Sequence, residues 1–317
     1  MKAAVVHGFG WSPRFEEFPE PILGEGEVTV EVRAVGLHPV VRALAAGSHY
    51  GSTDELPLVP GVDGVGTLEN GTRVYFGGAR PPYGTMAERA VVPRAMCFPL
   101  PDGLDDGLAA AVMNPGMAAW LALTWRGRLA PGETVLILGA TGVSGQIAIQ
   151  IARRLGAGKI IAAGRNERVL SALGADATIR LDRSDRGVSE DVAREAGENG
   201  IHVIVDYLWG RPTEAVILGI TRRGLGHAAP RVRLVEVGES AGPTITLPAG
   251  VLRSSGLEIL GSGAGTIPIQ RMFEVLPEFV AHVVEGEFRI DVERVPLSEV
   301  EEAWSRDRRG PRPVIIP

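Results

Sequence analysis

Residues 136–157, LILGATGVSGQIAIQIARRLGA, pass from an apolar run through a loop containing three glycines into a stretch of helical spacing. Such a loop brings backbone N–H groups up to a pyrophosphate at the N-terminus of the helix it opens, because glycine has no side chain to block the approach. The dinucleotide spacing G-x-G-x-x-G falls on Ala140, Gly142 and Gly145, with alanine in the first place and Thr141, Val143 and Ser144 between them. Which nucleotide fits is decided at the end of the next strand, where an Asp or Glu on the ribose 2′-hydroxyl marks NAD. Here the run AAGRNERV puts Gly164 in that region, followed by Arg165, Asn166 and Arg168. With no carboxylate there is no repulsion against a 2′-phosphate, and arginine offers it planar, charge-assisted hydrogen bonds. NADPH is therefore the expected cofactor, the alternative being that both arginines are solvated residues at a helix start. Gly238, closing the run RVRLVEVG at the carboxyl end of another strand, completes the expected cofactor set.

These residues need elements to position them. TVLILG reads as a buried strand, and the helix after it puts Ile147, Ile151 and Leu155 on one face, with Gly156 placed to end it. From there the strands KIIAAG, ATIRL, IHVIVDYLW, RVRLVEVG and GLEILGS are separated by the helical runs ERVLSALGA, DVAREAG and TEAVILGI, apart from the last pair. Alternation on this scale predicts parallel strands joined by right-handed crossovers, a doubly wound α/β sheet over residues 116–262. Asp206, at the end of its strand, is expected to order the neighbouring turn. Residues 1–115 instead carry short β-type runs such as EVTVEVRAV and AERAVVP between Pro and Gly punctuation, which predicts a β-rich unit. Residues 263–317 read as strand, helix and terminal strand returning to that first domain.

Composition narrows the classes. The chain has 317 residues, 45% hydrophobic and 22% charged, which is ordinary for a globular protein of two domains. A formal net charge of -6 argues against a nucleic-acid partner. Cys97 is the single cysteine, so no intrachain disulfide or cysteine-rich metal cluster forms, and it reads as a small core hydrophobe. The start MKAAVVHGFGW lacks the apolar length of a secretory signal, and no run of about 18 uninterrupted apolar residues occurs. A cytoplasmic location with no membrane partner is expected.

The same loop, together with PGVDGVGTL, GTRV, YGTMAERAVVP and VPLSEVEEAW, resembles the medium-chain dehydrogenase/reductase superfamily, in particular its zinc-free quinone oxidoreductase branch. The resemblance runs over nearly the whole chain. It implies a GroES-like catalytic domain built from 1–115 and 263–317, a Rossmann domain over 116–262, a cleft where nicotinamide meets substrate, and a homodimer. Zinc alcohol dehydrogenases of the superfamily ligate their metal with Cys, His and Cys, and those positions fall here on His38, Val62 and Asn114. Valine cannot ligate and asparagine ligates poorly, so no metal is expected; His38 with Asp63 makes only two donors. Without a Lewis acid, the expected substrate is a small electrophile, a quinone or an enone.

Relatives carry GVNPVD where this chain has GLHPVV, so His38 replaces an asparagine and Val41 an aspartate. His38 is read either as the hydrogen-bond donor or proton source at the cleft, or as a residue packed under its loop. Tyr50 lies near where relatives place a tyrosine beside the nicotinamide, with His49 as the alternative one residue away. Asn114 either lines the pocket or caps a helix that begins at Pro115. His7, His202, His227 and His282 carry no chemical signal separable from structure. Two other functions fit the pattern: an enoyl or alkenal double-bond reductase, and an NADPH-binding sensor or scaffold with a decayed pocket.

Overall fold

The computed structural model describes residues 1–221, 229–306 and 310–317. Chain contacts divide it into Met1–Asn114 with Val280–Pro317, and Pro115–Phe279. The second boundary lies beyond the expected residue 263 because of a helix that the sequence reading passed over, Ile269–Val284, with Pro277 inside it. Its Phe279 packs into the space left by Gly116, where a Cβ would overlap the ring, and meets Trp120 edge-on at 6.0 Å. That contact ties residues up to 279 to the central unit.

The central unit is built on a six-stranded sheet in the order Ala177–Arg180, Lys159–Gly164, Thr134–Leu138, Val203–Asp206, Val232–Glu236 and Leu257–Gly261. Every neighbouring pair is parallel. Parallel strands covered on both faces need apolar residues throughout, and Thr134–Leu138 is buried along its whole length. Leu136, Leu138, Ile161, Ala163, Ile204 and Leu234 form the heart of one core cluster, each fully buried. Each large aliphatic side chain there contributes about 1.5–3 kcal/mol. The helix Val143–Arg154 buries Ile147, Ala148, Ile151 and Ala152 on one stripe. It stops at Gly156, whose φ of +82° lets the N–H groups of Gly156 and Ala157 turn back to Arg153 O (3.1 Å) and Ala152 O (3.0 Å).

The other unit carries the sheet order Val292–Pro296, Arg312–Ile316, Glu27–Gly36, Asp63–Leu68, Arg73–Gly77 and Cys97–Pro99, with Arg89–Pro93 paired to the remaining length of Glu27–Gly36. Val314 and Ile315 pair antiparallel with Gly36 and Val35, so the two ends of the chain share one sheet. The tail forms the strand, helix and strand expected of it: Val292–Pro296, Val300–Ser305 and Arg312–Ile316. Val30, Val35, Phe76 and Met86 are fully buried between these strands.

The helix Asp106–Leu121 contains Pro115 in its interior, and a π-turn extends it through Ala122–Arg126. Proline is tolerated at a helix start because its missing N–H is unpaired there, and that preference suggested a beginning at 115. Here the apolar positions on both sides of Pro115 are buried and hold the helix continuous through it. Asn114 therefore caps nothing. The stretch Asp106–Arg126 is long and apolar enough to cross a membrane by length and composition, but 78% of its most apolar 18-residue window is buried within the protein, as in a core helix.

Candidate functional site

The loop after the first parallel strand is bent by Gly139, with φ +83°, and not by the expected position Ala140, which is wholly buried. The N–H groups of Gly139 and Ala140 both donate to Ala163 O, at 3.0 and 2.9 Å, which clamps the loop to the second strand. The glycine missing from the dinucleotide spacing is thus present one residue earlier. A strict template hid it; the left-handed bend immediately after a buried strand was the signal that could have found it. Gly145 packs the helix against the bend: a Cβ there would run into the Gly139 carbonyl and lie 2.6 Å from Ala140 Cα. Gly142 is exposed, with extended φ and ψ of -80° and 161°, and precedes the helix Val143–Arg154. The first turn of that helix directs the N–H groups of Val143, Ser144 and Gly145 outward, a ready anion site. Thr141 O is engaged by Gln146 Nε2 at 3.1 Å.

At the end of the second strand, Gly164 is buried against Thr141, where a Cβ would lie 2.7 Å from Thr141 Cγ2. Asn166 caps the helix Glu167–Ala172, its Oδ1 accepting from Val169 N at 3.2 Å. Glu167 pairs with Arg180, which also holds Asp182. Arg165 and Arg168 are exposed, and neither makes an ion pair or side-chain hydrogen bond among the described residues. The fully acid-bound cation is Arg180; the two free ones stand beside Gly164. A 2′-phosphorylated dinucleotide fits this set of glycine cradle, helix start and unpaired arginines.

Gly238 follows the fifth strand, and its N–H donates to Asp206 O at 3.2 Å. The Asp206 side chain orders the neighbouring turn, as expected. Oδ1 accepts from Leu208 N (2.8 Å) and Trp209 N (3.0 Å), and Oδ2 from Thr213 Oγ1 (2.5 Å). These bonds hold Trp209 at φ +54° and start the helix Gly210–Ile220. Burial pushes the Asp206 carboxyl above its ordinary 3.8, against the opposing effect of Thr213 and the two backbone donors. A folded-state value above the unfolded one means that stability falls as pH rises from 3.8 through the folded value. Asp206→Asn removes this dependence. In urea unfolding across pH, the wild-type advantage over the variant is greatest in acid and narrows toward neutrality. Asp206→Ala leaves three donors without their acceptor and costs roughly 3 kcal/mol.

In the unit formed by the two chain ends, His38 is 2% exposed, immediately before the short helix Pro39–Ala45. Its Nε2 lies 3.5 Å from Asp63 Oδ1, and neither ring nitrogen has a hydrogen-bond partner. Asp63 Oδ2 accepts from Tyr75 Oη at 2.5 Å, and Asp63 O from Thr85 Oγ1 at 2.7 Å. Burial and the Asp63 charge push the Tyr75 phenol well above its ordinary value, so it acts only as a donor. Asp63 and Tyr75 were not singled out together in the sequence; they meet because Asp63–Leu68 and Arg73–Gly77 pair antiparallel, with Asp63 opposite Gly77 and Val65 opposite Tyr75.

Tyr50 stands apart from this cluster, 77% exposed, its ring against His49 at 4.0 Å. His49 Nδ1 accepts from Gly51 N at 3.0 Å and is committed to its own turn. Asn114 is half-buried inside its helix. Of the remaining histidines, His7 pairs with Glu16, His202 Nδ1 accepts from Thr134 N, and His282 lies beside Glu287; His227 lies outside the described residues. Cys97 is half-buried, and burial pushes its thiol up, so it is unreactive.

A doubly wound parallel sheet whose first crossover is opened by a glycine loop, and a second, mostly antiparallel sheet made from both chain ends, define a two-domain α/β fold. The family model for zinc-binding dehydrogenases matches residues 144–281. The chain is 29% identical to a probable NADPH-dependent quinone reductase of Emericella nidulans, covering 100% of both chains. It is 30% identical over 221 residues to the human quinone oxidoreductase, covering 66% of each. Among solved structures, the quinone oxidoreductase of Thermus thermophilus, determined also with NADPH, superposes with a TM-score of 0.82 at 29% identity over 100% of both chains. The chain belongs to the medium-chain dehydrogenase/reductase superfamily, in its quinone reductase branch.

Proposed function

We propose that the protein is an NADPH-dependent, zinc-independent reductase that delivers hydride to a quinone or a similarly electrophilic carbonyl acceptor. The observation that carries it is the pair of unpaired arginines, Arg165 and Arg168, beside Gly164, where an NAD site would present a carboxylate. NADPH, when bound, supplies the hydride. The N–H groups of Val143, Ser144 and Gly145 hold its pyrophosphate, Arg165 and Arg168 its 2′-phosphate, and Gly238 leaves room at the end of the fifth strand. Zinc independence follows from residue chemistry: of the three positions that ligate zinc in the alcohol dehydrogenases, His38 offers a donor, Val62 none and Asn114 a poor one. With no Lewis acid to polarise a simple ketone, the acceptor must be electrophilic on its own account. The protein then contributes orientation, exclusion of water and a donor for the developing oxyanion.

The test is the initial rate of NADPH oxidation with excess EDTA, across a panel of quinones and conjugated enones, with NADH in parallel. Turnover that prefers NADPH and ignores the chelator is expected, fastest on quinones. Turnover confined to enones would make the protein a double-bond reductase. Saturable NADPH binding with no turnover on any acceptor would overturn the catalytic assignment in favour of a sensor.

A further inference from the structure

Resting on the NADPH reading above, we propose that Arg180 is a positioning residue for cofactor specificity: it holds the Glu167 carboxylate and so keeps that acid from competing with a 2′-phosphate for Arg165 and Arg168. Within residues 161–170 Glu167 is the single acid, and it lies between the two arginines in the exposed run 165–168. Left without a partner, a carboxylate there repels a phosphate and offers the arginines an ion pair of their own. Sequence neighbours do make such a pair in this chain, since Arg194 Nε lies 3.3 Å from Glu195 Oε1. An acid at this place therefore weakens NADPH binding unless another cation occupies it.

Arg180 is that cation. It ends the strand Ala177–Arg180, which runs parallel to Lys159–Gly164 and sets Arg180 opposite Gly164. Leu181 N donates to Gly164 O at 2.9 Å, so the two strand ends stay in register at the point where the chain turns into Arg165. From this neighbouring strand the guanidinium reaches the Glu167 carboxylate through Nη1. Its other edge, Nε and Nη2, is taken by Asp182, with Nε 2.9 Å from Oδ1. A fork engaged on both of its prongs fixes the plane of the guanidinium, which leaves Nη1 turned to Glu167. The hydrogen bonds to Asp182 push the Arg180 guanidinium above its ordinary pKa against the effect of burial, and the same contact holds the Asp182 carboxyl below its own. Both partners stay ionised through neutral pH.

The Glu167 side chain is 78% exposed, so the ion pair rather than packing decides where its carboxylate sits. An exposed pair of this kind adds little to stability, and its consequence is electrostatic. Of the three arginines gathered at these strand ends, one takes both acids and two remain for the ligand. All of these residues belong to the central unit and lie at its surface, where a dinucleotide reaches them directly.

Isothermal titration of the full-length protein at low salt, with adenosine 2′,5′-bisphosphate and with ADP, isolates the 2′-phosphate from the rest of the cofactor. Arg180→Gln should weaken the bisphosphate about fivefold and leave ADP within about twofold. Glu167→Gln alone should change neither by more than about twofold, because its charge is already held. Added to Arg180→Gln, it should return the bisphosphate affinity to within about twofold of the wild type. In turnover the Arg180→Gln variant should show the loss as a rise in KM for NADPH with kcat and the KM for NADH unchanged. Melting temperatures of all three variants should stay within about 2 °C of the wild type. Unaltered bisphosphate affinity in Arg180→Gln overturns the proposal. So does a double variant as weak as Arg180→Gln, which would put Arg180 itself on the phosphate, or an equal loss of ADP, which would make Arg180 a support for the loop. A wild type that binds the bisphosphate no more tightly than ADP would sink the NADPH reading, and this proposal with it, before any variant is compared.

Discussion

Gly142→Ala leaves the melting temperature almost unchanged and weakens NADPH binding at least about tenfold, whereas Gly145→Ala lowers the melting temperature by several degrees and weakens binding as well. The contrast follows from what each new methyl group meets. At Gly142 the backbone is extended, and a Cβ would find only the Gly139 carbonyl, at 3.4 Å, an ordinary contact. The apo protein therefore tolerates alanine, within the roughly 0.5 kcal/mol typical of surface changes. What the methyl group obstructs is the approach of a phosphate to the helix start, where one charge-assisted hydrogen bond is worth about 1.5–3 kcal/mol. At Gly145 the obstacle is backbone, the Gly139 carbonyl and Ala140 Cα, which no rotamer change relieves. Overpacking of this kind costs about 1–3 kcal/mol, and 1 kcal/mol moves the midpoint of a domain this size by about 2–4 °C. Calorimetric melting and a fluorescence titration with NADPH on the two variants separate the roles. Equal loss of stability in both would mean that Gly142 serves packing alone, and unchanged affinity in Gly142→Ala would remove the loop from the cofactor site.

The parallel sheet was legible because its cause is local. Strands buried on both faces must be apolar throughout, and Thr134–Leu138 and Lys159–Gly164 announce themselves by that run and by the glycines that stop them. The bend at Gly139 was within reach but was masked by a fixed spacing that demanded glycine at 140. The helix through Pro115 was not legible, since proline's local preference points to a start and only burial on both sides overrides it. Ile269–Val284 was missed for the related reason that Pro277 interrupts an otherwise amphipathic pattern. The cluster of His38, Asp63 and Tyr75 lies at the far end of this scale. Each residue sits in a different run, and only the pairing of three strands and one loop brings the side chains together. Nothing in the spacing of 38, 63 and 75 encodes it.

Arg165→Ala/Arg168→Ala lowers kcat/KM for NADPH by roughly a hundredfold and leaves NADH within about twofold, so that the two cofactors become nearly equivalent. In the proposed site each arginine offers the 2′-phosphate a planar, charge-assisted fork, and loss of one such contact at an exposed position is worth roughly tenfold. NADH has no phosphate to lose. Either single variant should retain part of the preference, and the wild-type preference should shrink as salt is raised, because the pair is exposed and screened. The fold should be indifferent, since neither side chain has a partner among the described residues. Building an NAD-type carboxylate at 164 is a poorer route to the same end: a side chain there would press on Thr141 Cγ2, 2.7 Å from its first carbon, and disturb the cradle along with the charge. Steady-state kinetics with both cofactors at two ionic strengths measure the effect directly. A double variant that loses NADPH and NADH equally would show that Arg165 and Arg168 shape the loop rather than read the phosphate, and NADPH specificity would then have to come from elsewhere on the second strand.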